Sequence, residues 1–224
     1  MLLVLHYIPD HQAHPTIQTL NTRLRTYHPD ATALGKFSLE HRLLRSAQGA
    51  FPTIDGTPGA QGLRYQQLLT LDYQPGHQSH VHVAEVPPTG KGFEVPDHSV
   101  KSTTITIDVS QTDKFWQLLL NGFKAIWVPR AVMAVSGGSS WELGEFVIRM
   151  GELRLLGPQP QGKGVVVGVW SKDDIVEEER DATLTVMRVI GMSMSHGLGG
   201  AGGVKEFAGD DEVKVWCDLL RMRG

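Results

Sequence analysis

Trp141-Glu-Leu-Gly-Glu-Phe-Val-Ile-Arg-Met-Gly151 and, a few residues on, Gly164-Val-Val-Val-Gly-Val-Trp170 decide the fold. Both are dense in β-branched and aromatic side chains, which suit a pleated, half-buried surface. Residues 141–156 and 164–170 read as strands. The Pro158-Gln-Pro-Gln-Gly162 piece between them is too short for a crossover helix, so the two strands pair antiparallel. Residues 125–135 read as a third strand, set off by Ser136-Gly-Gly-Ser139.

Working upstream, residues 100–109 carry Thr, Ile and Val in strand-like order. Ser110 followed by Asp113 resembles a capping box, opening a helix with Phe115, Leu118 and Leu119 on its apolar side and stopping at Asn121-Gly122. Residues 79–86 alternate, with Val81 and Val83 on one face and His80 and His82 on the other, until Pro87 and Pro88 end the run. Residues 36–45 and 62–73 are β-compatible but alternate less regularly. The N-terminus reads as a strand closed by Pro9, then an amphipathic helix with Ile17, Leu20, Leu24 and Tyr27 on one face. A last amphipathic helix starts near Gly209, places Asp210, Asp211 and Glu212 at its positive end, buries Val213, Trp216 and Leu220, and finishes with Arg221 and Arg223. The class is α+β: an antiparallel sheet flanked by a few helices, in one domain spanning 1–224, with flexible insertions at about 47–62, 87–98 and 171–209.

Composition narrows the function. The 224 residues, 41% hydrophobic and 20% charged, supply one sizeable core. A net charge of -3 gives no whole-molecule attraction to a phosphate backbone or an anionic membrane, so direct nucleic-acid and membrane binding are not expected. One cysteine, Cys217, cannot form an internal disulfide, no leader pattern is present, and no apolar run reaches the roughly 18 residues of a membrane span. The chain therefore reads as soluble and intracellular.

The motifs that suggest chemistry fail on context. Gly157-Pro-Gln-Pro-Gln-Gly162-Lys163-Gly164 has phosphate-loop spacing, but Gly164 replaces the magnesium-binding hydroxyl, and a β-branched run follows where a helix is required. Gly197-Leu-Gly199-Gly-Ala-Gly202 spells the dinucleotide fingerprint, yet the residues beyond it are consumed by the final helix and leave no second strand. Glu177 and Glu179, the Glu-x-Glu of the chain, fall in an acidic loop and not on a strand of a metal and polyphosphate tunnel. Cys217, on the last helix, reads as a small buried residue. His80 and His82, with His77 and Glu85 nearby, have the spacing of two strand-borne zinc ligands, although such a polar face is ordinarily solvent-facing and a third ligand is needed. A small metal-binding barrel or enzyme built on His80 and His82 is thus the rival reading. Among the tryptophans, Trp141 and Trp170 stand at strand ends, where an amphipathic ring can anchor a partner protein.

The order of these elements resembles a known family. Phe115-Trp-Gln-Leu-Leu-Leu-Asn-Gly-Phe-Lys124, Trp141-Glu-Leu-Gly-Glu-Phe-Val-Ile-Arg-Met-Gly151, Leu156-Gly-Pro158 and Gly164-Val-Val-Val-Gly-Val-Trp170 look like the diagnostic helix and strands of subunit 20 of the Mediator complex. Leu3-Val-Leu-His-Tyr-Ile-Pro9 and the helix through Leu20 and Leu24 look like its fungal branch. The resemblance covers a little over half of the chain, most specifically 104–170, and does not extend to the insertions. It implies a β-barrel-like sheet and a non-enzymatic subunit of the Mediator head module, without cofactors. That subunit would pair with Mediator subunit 18, be tethered to the head through subunit 8, and act in the nucleus as a coregulator of RNA polymerase II. No basic import cluster is visible in the sequence, so entry would follow a partner or a signal of another kind.

Overall fold

The computed structural model describes residues 2–9, 14–47, 49–51, 63–86, 102–172 and 210–221. The elements in chain order are β1 (Leu2–Pro9), α1 (His14–Tyr27), β2 (Thr32–Ser46), β3 (Leu63–Leu71), β4 (Gln78–Val86), β5 (Ser102–Asp108), a 3₁₀ turn (Val109–Gln111), α2 (Thr112–Gly122), β6 (Trp127–Leu143), β7 (Phe146–Leu156), β8 (Gln161–Ser171) and α3 (Asp210–Arg221). All eight strands share one sheet, ordered β1-β8-β7-β6-β2-β3-β4-β5, and every described pairing is antiparallel. The expected α+β class with an antiparallel sheet is the observed one. Among the described pairings β1 and β5 stand at opposite ends and do not meet, so the sheet is not closed into a barrel.

It is nevertheless strongly curled. α3 touches β1, β2, β3 and β4. In a flat sheet the first and seventh strands would lie roughly 29 Å apart at about 4.8 Å per step, whereas a helix is only about 10 Å across. One short helix reaches both because the sheet wraps around it.

The two faces are told apart by parity. Val165, Val167 and Val169 pack with Leu20 and Leu24 of α1, while Val166 and Trp170 pack with Val213, Trp216 and Leu220 of α3. β8 is thus covered on both sides, which explains its unbroken apolar run. A third cluster, Leu44, Leu68 and Val81 with Trp116 and Leu119, seats α2. Leu44 and Val132 alternate with Leu43 and Met133, so α2 lies on the same face as α1 and opposite α3.

Ser136-Gly-Gly-Ser139 does not separate two strands. β6 runs through it, and the pairing to β7 shifts between Val135 and Ser139 around Gly137, whose φ of +73° favours glycine. This bulge swaps the face of every later residue: Met133 and Val135 face α3, while Trp141 and Leu143 face α1. Gly138 is confined for a second reason, since a Cβ there would lie 2.3 Å from Phe37. The expected capping box also differs. Gln111 occupies the cap of α2 without a side-chain capping bond, and Asp108 instead caps the preceding 3₁₀ turn by accepting from the Ser110 N–H at 2.8 Å. Tyr27 and Leu118, placed on apolar helix faces by spacing, are exposed, each lying outside its helix's packed stripe.

Candidate functional site

At the start of α3, Glu212 is buried, and one of its oxygens accepts two hydrogen bonds. The Tyr73 hydroxyl donates to Oε1 at 2.8 Å and the Trp170 indole N–H at 3.1 Å. The Trp216 indole N–H in turn donates to the Tyr73 hydroxyl at 3.1 Å. The Arg149 guanidinium lies 4.0 Å from the Tyr73 ring centre and 4.7 Å from that of Trp170, so a half-buried cation and a buried carboxylate flank two aromatic rings. Burial, and then the Glu212 charge, push the Tyr73 hydroxyl well above its ordinary range, while burial pulls the Arg149 guanidinium down. A neutral phenol donating to a carboxylate is a structural bond, and it fastens α3 into the curl.

Trp170, expected as a partner anchor, is thus 6% exposed in this chain. Trp141, the other expected anchor, is equally buried, under α1: its N–H donates to Asn21 Oδ1 at 3.1 Å, and Arg25 covers its ring at 5.0 Å. The structure does not bring the two together, since they belong to the clusters on opposite faces of the sheet.

His80 and His82 do share a face, as their spacing requires, but that face is the inside of the curl, and they are 9% and 1% exposed. His80 Nε2 is 2.6 Å from Gln74 Oε1, and His82 Nδ1 is 2.9 Å from Thr104 Oγ1. His77 is exposed in the preceding turn, and Glu85 pairs with Arg64. Among the described residues no group of three or more His, Cys, Asp or Glu is arranged to hold a metal ion. Beside this pair His41, fully buried on β2, donates from Nε2 to Gln67 Oε1 at 2.9 Å. Burial holds its pKa down at about 4, so it is neutral at physiological pH.

The remaining candidates resolve simply. Gly157 to Gly164 connects β7 to β8, with the strand continuing where a phosphate loop needs its helix, and the Lys163 carbonyl accepts from the Tyr7 hydroxyl. Cys217 is buried on the packed face of α3, where burial pushes its thiol well above the ordinary value. Glu177, Glu179 and the 197–203 glycine run lie outside the described residues, as do most of 47–62, all of 87–98 and 173–209.

The sheet's outer surface is different in kind. β5 is exposed or half-buried along its whole length, with Ile105 at 54%, and the neighbouring α2 and start of β6 expose Leu118, Phe123 and Val128. No sequence motif singled out this area, because exposed apolar residues there look like core residues until the register is known.

A family model, described as the TATA-binding related factor of subunit 20 of Mediator complex, matches residues 1–197. The chain belongs to that family. It is a Mediator subunit with a role in transcription, and its partners are Mediator partners. The match stops short of α3, which begins at Asp210. No curated protein matches the chain. Solved structures similar to it include the PH1012 protein of Pyrococcus horikoshii OT3, at 9% identity and TM-score 0.47, covering 88% of this chain and 94% of that one. The PH1819 protein of the same organism stands at 11% and 0.39, covering 85% and 90%.

Proposed function

We propose that the chain is a non-enzymatic architectural subunit of the Mediator head module, pairing directly with Mediator subunit 18 and held to the head through subunit 8. It would act in the nucleus as a coregulator of RNA polymerase II, without touching nucleic acid itself. The family match over 1–197 carries this reading. The chemistry inside the fold supports it: the free thiol and the paired histidines sit in the core, and the reach of the polar network is spent on fastening α3. Trp141 and Trp170 enter the reading through the helices they hold in place, which shape the surface a partner meets.

The test is the mass in solution of the chain co-expressed with subunit 18, by size exclusion with light scattering, beside the chain alone. A one-to-one complex that also retains subunit 8 supports the reading. Two separate monomers at micromolar concentration would sink it and return attention to metal analysis of the chain purified without a histidine tag, where a stoichiometric ion lost in the His80→Ala/His82→Ala variant would favour the metal-binding reading.

A further inference from the structure

α3 lies against β2, β3 and β4 as well as β1, and the inward side chains of those strands form its seat. On the Tyr73 side, where Glu212 fastens the helix, the seat is apolar, with Leu39, Leu69 and Leu71 in the α3 cluster. Two residues on from Leu39 and from Leu69, on the same face, stand His41 and Gln67, and His82 is paired with Gln67. At the far end Arg221 of α3 lies 5.3 Å over the Tyr65 ring. A helix fastened at both ends thus rests in the middle on a polar floor.

His41 is fully buried and neutral, and its Nε2 donates at 2.9 Å to Gln67, whose amide cannot balance a charge. Among the described residues no carboxylate bonds to it. Glu212 is engaged by Tyr73 and Trp170, Asp218 lies 3.6 Å from Arg221, and burial keeps the Cys217 thiol neutral. β6 places Met133 opposite, while on β4 His82 opposes any charge on His41. His80 and Arg45, on the same face of β4 and β2, supply no negative charge. A charged His41 therefore needs water, and α3 covers the face through which water would come. The ladder need not open to admit it. β2, β3 and β4 have a separate core on their opposite face, Leu44, Leu68 and Val81 under Trp116 and Leu119, and the pairing of β3 with both neighbours runs unbroken past His41 and His82. A twelve-residue helix is barely stable alone, so leaving the seat and unwinding go together.

We infer that His41 is an acid-operated release for α3: a proton taken up by its ring frees the helix from the curl while the strand ladder stays paired. The device belongs to the lone chain and does not depend on a partner.

Cys217, the one cysteine of the chain, sits on the packed face of α3 and reports release directly. Its reaction with a dithiodipyridine reagent, scaled to the urea-unfolded chain at each pH, should rise roughly hundredfold from about pH 7 to about pH 4, the span set by a histidine pKa of about 4 folded and 6.5 exposed. Amides of 63–71 and 78–86, scaled likewise, should keep their protection from hydrogen exchange over that range. His41→Gln should remove most of the rise. A reaction rate that does not change with pH overturns the inference, as does a rise that His41→Gln leaves intact. Loss of protection in both strands together with Cys217 exposure also overturns it, because the transition is then global unfolding. Should His41→Gln fail to fold, imidazole titration of the unsubstituted chain by NMR decides. His41 charging at the pH where Cys217 opens supports the release, and charging near pH 6.5 with Cys217 still protected overturns it.

Discussion

Tyr73 and Glu212 lie 139 positions apart and meet through a 2.8 Å hydrogen bond inside the curled sheet. The bond ties the start of α3 to the turn that follows β3 and fixes how α3 enters the curl. Removing the carboxylate leaves two buried donors, the Tyr73 hydroxyl and the Trp170 N–H, without their acceptor, and it takes from Arg149 one of two nearby carboxylates, leaving Asp72. Glu212→Ala should therefore cost about 3 kcal/mol by urea unfolding, against about 1 kcal/mol for Tyr73→Phe. Equal, small losses would mean that α3 is held by its apolar face alone.

His41 gives the chain a pH dependence of definite sign. Its folded pKa, about 4, lies below the ordinary histidine value of 6.5, with burial as the main cause, opposed by the Gln67 bond and reinforced by the His82 charge. Between those values the unfolded chain binds more protons, so stability rises with pH through the window and is lost as pH falls from 6.5 to 4. The loss attributable to this residue is about 3 kcal/mol. Urea midpoints at intervals through the window should show the decline, and His41→Gln should flatten it. A slope unchanged by that substitution would place the dependence elsewhere.

Gly151 on β7 is required by close approach. A Cβ there would lie 2.3 Å from Val135 Cγ1 and 3.3 Å from the Gly138 backbone, just where the β6 bulge brings the strands together. Gly151→Ala should cost about 2 kcal/mol by overpacking, and Val135→Ala in the same chain should recover part of that. Additive losses in the double variant would show that the crowding is not at Val135.

What the sequence made legible were the features set by local pattern. The β-branched run at 164–170 became β8, the proline-rich piece became the β7–β8 hairpin, and the Val213, Trp216 and Leu220 stripe is buried to within 1% exposure, whereas the stretch 141–156, expected as one strand, turns at Gly144-Glu145 from the end of β6 into β7. What it hid were features set by register and by distant pairing. The glycine stretch at 136–139 has turn composition, and only its pairing partners reveal a bulge inside one strand. Alternating histidines on β4 signal a polar face, but whether that face meets water depends on α3, more than a hundred residues later. Glu212 at a helix start is accounted for locally by the dipole, so nothing in its neighbourhood announces that Tyr73 and Trp170 depend on it. The place of β5 at one end of the described strand order likewise follows only from the pairing.

Trp141 offers the sharpest separation between an internal support and a partner anchor. Its indole N–H and the Asn21 carbonyl oxygen form one 3.1 Å bond beneath α1, and Ser139 reaches the same oxygen at 3.3 Å. Asn21→Ala removes the acceptor and leaves the buried N–H unpaired, while Trp141→Phe removes the donor together with ring area. Each should lower the stability of the isolated chain, with no partner present, by about 1–2 kcal/mol. Because both changes delete the same bond, the double variant should fall short of the sum by about 1 kcal/mol. A thermodynamic cycle in urea measures that difference directly. Strict additivity would mean the bond contributes nothing to seating α1, and the ring's burial would then rest on its packing against Leu143, Ile148 and Leu24 alone.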